Sequence, residues 1–461
     1  MFISREKELD HLNEAYQSDK FEFIVMYGRR RVGKTTLLNE FMKDKCGFYY
    51  MAVKEKDGSN LEGLSAAILG EDSGLHFENY EKALLNVYEQ GKEERLVLVI
   101  DEFPYLAASA PEISSVLQRV IDHHFLNSKV MLILCGSSMS FMEHQVLGYE
   151  SPLYGRRTSQ MKILPFTFFQ CRQFFPKMDK KELMGVYGIT GGIPQYLSFI
   201  DEKKSIKENI QNTYLKTTAP LYEEPGNLLL QELRDPSSYN AALFAIAHGA
   251  SRMKEISDKI KMSTSATTVL LENLIELGIV EKKTPMSQNR AGSRKTIYQI
   301  SDSMFRFWYR FIGRNQSLIE RGRGELLYGR IEKEFNDFLG PIFEKVCIDW
   351  MWDNVPYSNY SEDYFEDLGA WWGTDKNKKT EVEIDILGFS PETQALFIGE
   401  CKWRNQLSGS EILNTLSYRA HLFLNPQKYC FLFSKSGFTE KCREQAEQMN
   451  VNLICFDEMA I

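Results

Sequence analysis

The stretch 23–41, FIVMYGRRRVGKTTLLNEF, places Gly28 after an apolar run and sets Gly33-Lys34-Thr35 ahead of Leu37, Leu38 and Phe41 at helical spacing. A strand, a glycine-bounded turn and a helix in that order suit a loop that wraps phosphate groups. Gly28 and Gly33 let backbone N–H groups turn onto phosphate oxygens, and Lys34 has the reach for the β and γ oxygens. The Thr35 hydroxyl is placed for a Mg2+ ion, and Thr36 joins the residues assigned to the nucleotide, read as ATP. A second signal follows at 95–103, RLVLVIDEF, where an apolar strand ends in Asp101 and Glu102. Asp101 is expected to hold the same Mg2+ through water, and Glu102 to activate the attacking water.

A separate constellation lies near the other end. EIDIL at 383–387 and IGECKW at 398–403 read as adjacent strands carrying Asp385 and Glu400-x-Lys402. Strand alternation puts Glu383 with Asp385, and Glu400 with Lys402, on shared faces. Two carboxylates and a lysine so placed suit a divalent ion, Mg2+ or Mn2+, and a water attacking a phosphodiester, with Lys402 supplying charge. Glu344, in the preceding helix, is a candidate third acid.

The elements that must hold these residues fall into blocks. Up to about residue 200, FEFIVMYG, GFYYMAV, RLVLVIDEF and KVMLILCGSS alternate with amphipathic helices, which predicts a parallel sheet covered on both faces. Residues 1–235 are assigned to this domain and a helical lid. From 236 to 302 the spacing predicts a winged helix: a helix near 253–260, a turn, a second helix over 264–277, then two strands around a basic loop. Lys282, Lys283, Arg290, Arg294 and Lys295 would ring that wing as DNA contacts, with a purely structural lid as the alternative. A helical connector, 303–330, and a mixed α/β domain, 331–461, complete the chain. In the connector, Arg306, Arg310 and Arg314 alternate with aromatic residues, an interleaving that can stack on single-stranded bases but reads first as a core stripe with arginines on its wet face.

Composition narrows the class. The 461 residues are 43% hydrophobic and 13% aromatic, ample for packed cores, and the net charge of −8 confines nucleic-acid binding to a local patch. Eight cysteines without a CxxC pair read as reduced thiols, so a cytoplasmic protein is expected. No apolar run approaches the ~18 residues a membrane span needs, and no signal peptide or membrane partner is expected.

FISREKEL at the start, GRRRVGKTTL, VLVIDEFPYL, LILCGSSMSFM, LYGRRTSQMKILPF and ITGGIPQYL together resemble the archaeal-type ATPase family of AAA+ and STAND-like P-loop proteins, over roughly residues 2–200. The resemblance implies a P-loop ATPase. It further implies that Arg5 lies near the adenine, that Ser137 is a polar sensor, that Arg156 or Arg157 is an arginine finger within one subunit or across a homo-oligomer, and that Pro194 contacts the nucleotide from the lid. Residues 335–461 resemble the PD-(D/E)xK restriction-endonuclease-like nucleases, with Ile384 where the proline of that name would stand. Two functions follow as expectations: an ATPase coupled to DNA association and a metal-dependent nuclease-like domain, or a STAND-like ATP-dependent switch that recruits protein partners without cutting.

Overall fold

The computed structural model describes residues 2–55, 58–233, 235–287, 295–375 and 378–459. The chain divides into two compact units, Met1–Phe166 with Ile193–Ser198, and Thr167–Gly192 with Phe199–Ile461.

In the first unit, β1 (Glu22–Tyr27), β2 (Gly47–Met51), β3 (Leu96–Asp101), β4 (Val130–Gly136) and β5 (Ser159–Lys162) form one sheet in the order β2-β3-β4-β1-β5. All four pairings are parallel. Every residue of β1, β3 and β4 is buried, as expected for central strands covered on both faces. Phe23, Val25 and Tyr27 enter one core cluster, and Ile24 and Met26 enter the cluster on the opposite face. Tyr27 stands level with Gly136, and Ile100 with Leu134, so β1, β3 and β4 end together. The loops that follow them therefore share one edge, the carboxyl edge where open α/β sheets bind ligands.

In the second unit, helices Met253–Ile260 and Thr264–Glu276 precede the antiparallel hairpin of β6 (Val280–Lys283) and β7 (Ile297–Ile300), which is the winged helix. A 31-residue helix, Gly324–Asn354, runs unbroken through residue 330, where the sequence reading ends the connector. It contacts a second sheet built from β8 (Leu368–Asp375), β9 (Thr380–Phe389), β10 (Leu396–Lys402), β11 (Lys428–Ser434) and β12 (Val451–Cys455) in the order β12-β11-β10-β9-β8. The pairs β10·β11 and β11·β12 are parallel, and β8·β9 and β9·β10 are antiparallel. Ring contacts of Phe343 with Trp403 and of Trp350 with Phe433 join the long helix to this sheet.

The grouping differs from the expected single block of 1–235. Residues 167–192 and 199–233 cluster with the second unit, and only 193–198 return to the first. Packing explains the split: Phe168 makes ring contacts with both Tyr187 and Phe456, and Tyr214 packs on Phe307.

Candidate functional site

Between β1 and the helix Lys34–Met42 the backbone tolerates little substitution. A Cβ on Gly28 would stand 2.3 Å from the Ile163 carbonyl oxygen, and Gly33 adopts φ 90°, where a side chain is strained. Lys34 is buried, and its Nζ donates to the carbonyls of Gly28 at 2.7 Å and Arg29 at 3.0 Å. Burial pushes its pKa down, while Cys135, Glu102 and Asp101 push it up. The ammonium is thus held in the concavity of the loop by neutral partners that an anion would displace. Thr36 is exposed in the first helical turn.

Asp101 collects neutral donors. Its Oδ2 accepts from Thr35 Oγ1 at 2.8 Å and Tyr49 Oη at 2.6 Å, and its Oδ1 accepts the Glu102 N–H at 2.9 Å. Glu102 takes a left-handed φ of 53°, which turns its side chain to Ser137, whose Oγ donates to Oε2 at 2.8 Å. A hydroxyl and a carboxylate oxygen in contact beside a phosphate-wrapping loop form the hard-oxygen donor set that suits Mg2+. The residues present therefore fit the ion.

Other predicted positions fare differently. Arg5 is buried and its guanidinium goes to protein groups: Glu8 at 2.8 Å, the Val32 carbonyl at 3.2 Å and the Leu164 carbonyl, with its centre 4.6 Å over the Phe166 ring. It clamps the loop in place, a job in which every visible contact is internal. Pro194 lies against the loop, since a Cβ on Gly33 would meet its Cγ at 3.8 Å. The Gln195 N–H reaches the Arg31 carbonyl at 3.4 Å, and the Arg31 guanidinium lies 5.7 Å over the Tyr196 ring. Of the two finger candidates, Arg156 is bound through two nitrogens to Asp122 at 2.7 and 2.6 Å. Arg157 acts electrostatically on Tyr27. Burial and Glu143 push the Tyr27 phenol up while Lys162 and Arg157 pull it down, and Tyr27 is the last residue before Gly28. Sequence reasoning passed over Tyr49 and the hydrogen bond of Arg30 to Tyr105 at 2.6 Å. Tyr49 sits in a run read only as a strand, and nothing local marks its hydroxyl as a partner of Asp101.

The C-terminal acids assemble in another way. Lys402 Nζ reaches Glu400 Oε1 and stands 3.9 Å from Asp385 Oδ2. Arg419, which the sequence did not single out, takes Glu400 Oε2, so both oxygens of that carboxylate face cations. Asp385 Oδ2 accepts the Cys401 N–H at 2.8 Å. Burial, then repulsion from Glu400, pushes the Asp385 pKa up to about 6, and burial followed by Asp385 pushes Glu344 up to about 8. Among the described residues no three His, Cys, Asp or Glu side chains form a group able to hold a metal ion. Of the expected ligands Glu344, Asp385 and Glu400, Glu400 faces Lys402 and Arg419 in this arrangement.

The wing is less open than a bare basic loop. Lys283 lies 3.7 Å from Glu281, and Trp372 Nε1 donates to the Lys295 carbonyl at 3.2 Å. The Met286 N–H bonds the Ala370 carbonyl at 2.9 Å, so the hairpin is stitched to β8. Lys282 lies opposite Tyr298 in the hairpin, and Arg290 and Arg294 lie outside the described residues. No described helix is long and apolar enough to cross a membrane.

A parallel sheet with a lysine-bearing phosphate loop after β1 and an acidic pair at the end of β3, with β4 between the two strands, defines a P-loop nucleotide-binding protein. Residues 2–200 match a family described as an ATPase domain predominantly from Archaea, and residues 308–414 match one described as "Archaea bacterial proteins of unknown function". An uncharacterized protein of Methanocaldococcus jannaschii is 35% identical over 420 residues, 88% of this chain and 88% of that protein. An uncharacterized ATP-binding protein of the same organism is 44% identical over 45 residues, 10% of this chain and 76% of its own length. The solved Walker-type ATPase of Pyrococcus abyssi shares the fold, with a TM-score of 0.53 at 20% identity over 67% of this chain and 96% of that one. The chain belongs to the archaeal-type P-loop ATPase family.

Proposed function

We propose that the chain is an ATP-driven switch: the first unit binds and hydrolyses ATP, and the nucleotide state governs DNA association by the second. The observation that carries hydrolysis is the contact of Ser137 with Glu102 next to the contact of Thr35 with Asp101. Mg2+, when bound, neutralises phosphate charge as it develops. Lys34 exchanges its two carbonyl partners for phosphate oxygens. Ser137 occupies one oxygen of Glu102 and leaves the other to take a proton from the attacking water. Arg157, rather than Arg156, is the arginine assigned to the leaving phosphate, since Asp122 already holds Arg156.

Coupling rests on the segment 193–198, which lies with the loop while the chain on both sides of it belongs to the second unit. DNA contact is assigned to Lys282, Lys283 and Lys295 with Arg290 and Arg294. The test is ATP turnover together with duplex affinity at several salt concentrations, with and without a non-hydrolysable ATP analogue. Affinity that falls with salt and changes with nucleotide supports the reading. Nucleotide-dependent self-association without DNA binding replaces it by a STAND-like switch for protein partners.

A second reading, metal-dependent phosphodiester cutting by Asp385, Glu400 and Lys402, draws on one observation: Asp385 and Glu400 are close enough to repel, with Lys402 reaching both. A nuclease assay with Mg2+ or Mn2+ decides it. No cutting of single- or double-stranded DNA in either metal removes it.

A further inference from the structure

The winged helix, the connector and the long helix border a cavity of about 260 Å3 that takes no part in the chemistry above. Its walls are mixed: Ile246, Ala247, Ile297 and Pro341 give an aliphatic side, Ser251 and Gln299 are polar, and two cations line it, Arg306 and Arg310. Arg306 is half-buried between the fully buried Phe305 and Phe307. Its guanidinium carbon lies 5.4 Å from the centre of the Phe338 ring. No carboxylate of the described residues reaches it at ion-pair distance, and no side-chain hydrogen bond ends on it. Arg310, one turn on, has Glu334 at 3.0 Å.

The surroundings make this arrangement costly. Burial, then the like charge of Arg310, pushes the Arg306 pKa down to about 10, with Glu344 and Glu281 opposing from further away. Glu281 is already engaged by Lys283 and Gln299, and burial holds much of Glu344 in its neutral form at pH 7. The Arg306 guanidinium keeps some contact with water, and a phosphate or carboxylate would match its fork of donors. The connector thus holds a cation without a carboxylate partner among the described residues beside a cavity whose size suits a small molecule.

We propose that this cavity is a binding site for a small organic anion, with one phosphate or carboxylate group on Arg306, Arg310 at the margin, and an apolar body against Ile246, Ile297 and Pro341. Such a ligand would bridge the winged helix to the long helix and so act on the second unit independently of ATP. Walls drawn from several elements favour a compact molecule over a duplex backbone.

The test is calorimetry on the full chain with its P-loop saturated by ADP and Mg2+, so that anionic probes do not report on the loop. Phenyl phosphate, benzoate and neutral phenol are titrated separately. At least one of the two anions should bind at millimolar concentration or below and phenol should not; the tighter anion tells a phosphate ligand from a carboxylate one. Arg306→Gln should weaken the anion by roughly tenfold or more. Ala247→Leu, which narrows the cavity and keeps the charge, should do the same while ATP turnover and cooperative melting persist, and it decides the matter if Arg306→Gln does not fold. Failure of both anions to bind the wild-type chain, or unchanged affinity in Ala247→Leu, overturns the proposal. Displacement of bound phenyl phosphate by a short DNA duplex also overturns it and reassigns Arg306 to a nucleic-acid phosphate.

Discussion

Asp101 and Glu102 at the end of β3 are held by hydroxyls, whereas Glu400 at the end of β10 is held by cations. In the first place Thr35, Tyr49 and Ser137 donate neutral hydrogen bonds, and Lys34 spends its donors on backbone carbonyls. The carboxylates meet hydroxyl and backbone donors, beside an ammonium held by two carbonyls. In the second place Lys402 and Arg419 close on Glu400 and leave Asp385 with one backbone donor and a lysine at 3.9 Å. Similar residue types thus yield carboxylates met by hydroxyls beside a phosphate loop in one unit and a carboxylate closed by two cations in the other. A list of acids and lysines is therefore a weaker guide to chemistry than the question of which groups neutralise which.

The largest effect that would break this contrast concerns Glu102. Glu102→Gln should keep ATP binding and lower turnover by about a thousandfold, the usual scale for removing a positioned base. Turnover near that of the wild type would move the base elsewhere. Lys34→Ala should weaken ATP by about a hundredfold, as expected for losing charge-assisted bonds to phosphate, and a binding titration with a labelled analogue reads it directly.

Arg419→Gln sharpens the other side of the contrast. With one oxygen of Glu400 released, Mn2+ binding by calorimetry at the C-terminal cluster should tighten by about tenfold, on the scale of a single charged contact. Equal affinity with and without Arg419 would mean that the cation does not compete with a metal. Ser137→Ala should slow ATP turnover only about fivefold, the cost of one neutral hydrogen bond.

The smallest effect belongs to Asp349, whose Oδ2 is buried without a hydrogen-bond partner and whose pKa is pushed up from 3.8 to about 6 by burial. A carboxyl with a raised folded-state pKa favours folding at low pH and loses that contribution as pH rises from about 4 to 6. Asp349→Asn should therefore melt higher than the wild type above pH 6, with the difference shrinking as pH falls to 4. A difference that ignores pH would show that Asp349 is already neutral or solvated.

Much of the first unit is legible in the sequence because its signals are local. Central strands carry uninterrupted apolar runs, and the loop needs its two glycines, lysine and threonine at fixed spacing. The helix pair and hairpin of the winged helix are legible for the same reason, through helical spacing and a polar turn. β5, reading Ser159-Gln160-Met161-Lys162, and β8, reading Leu368 to Asp375 through two tryptophans, do not stand out as strands, since edge strands lack the apolar run that marks central ones.

By itself the sequence determined the phosphate loop, the acidic strand end after it, the central strands of the first sheet, and the helix pair and hairpin that follow. Each of these depends on residues within one turn or one strand of each other. Tertiary structure alone decided that residues 167–192 join the second unit, since ring contacts such as Phe168 with Phe456 bridge 288 positions that no local pattern connects. It also decided that Tyr49 bonds Asp101, that Asp122 holds Arg156, that Arg419 caps Glu400, and that Arg306 borders a cavity without a carboxylate to meet it. Charged groups settle wherever folding brings a counter-charge or a donor within reach, and that partner is set by packing across the chain rather than by neighbours along it.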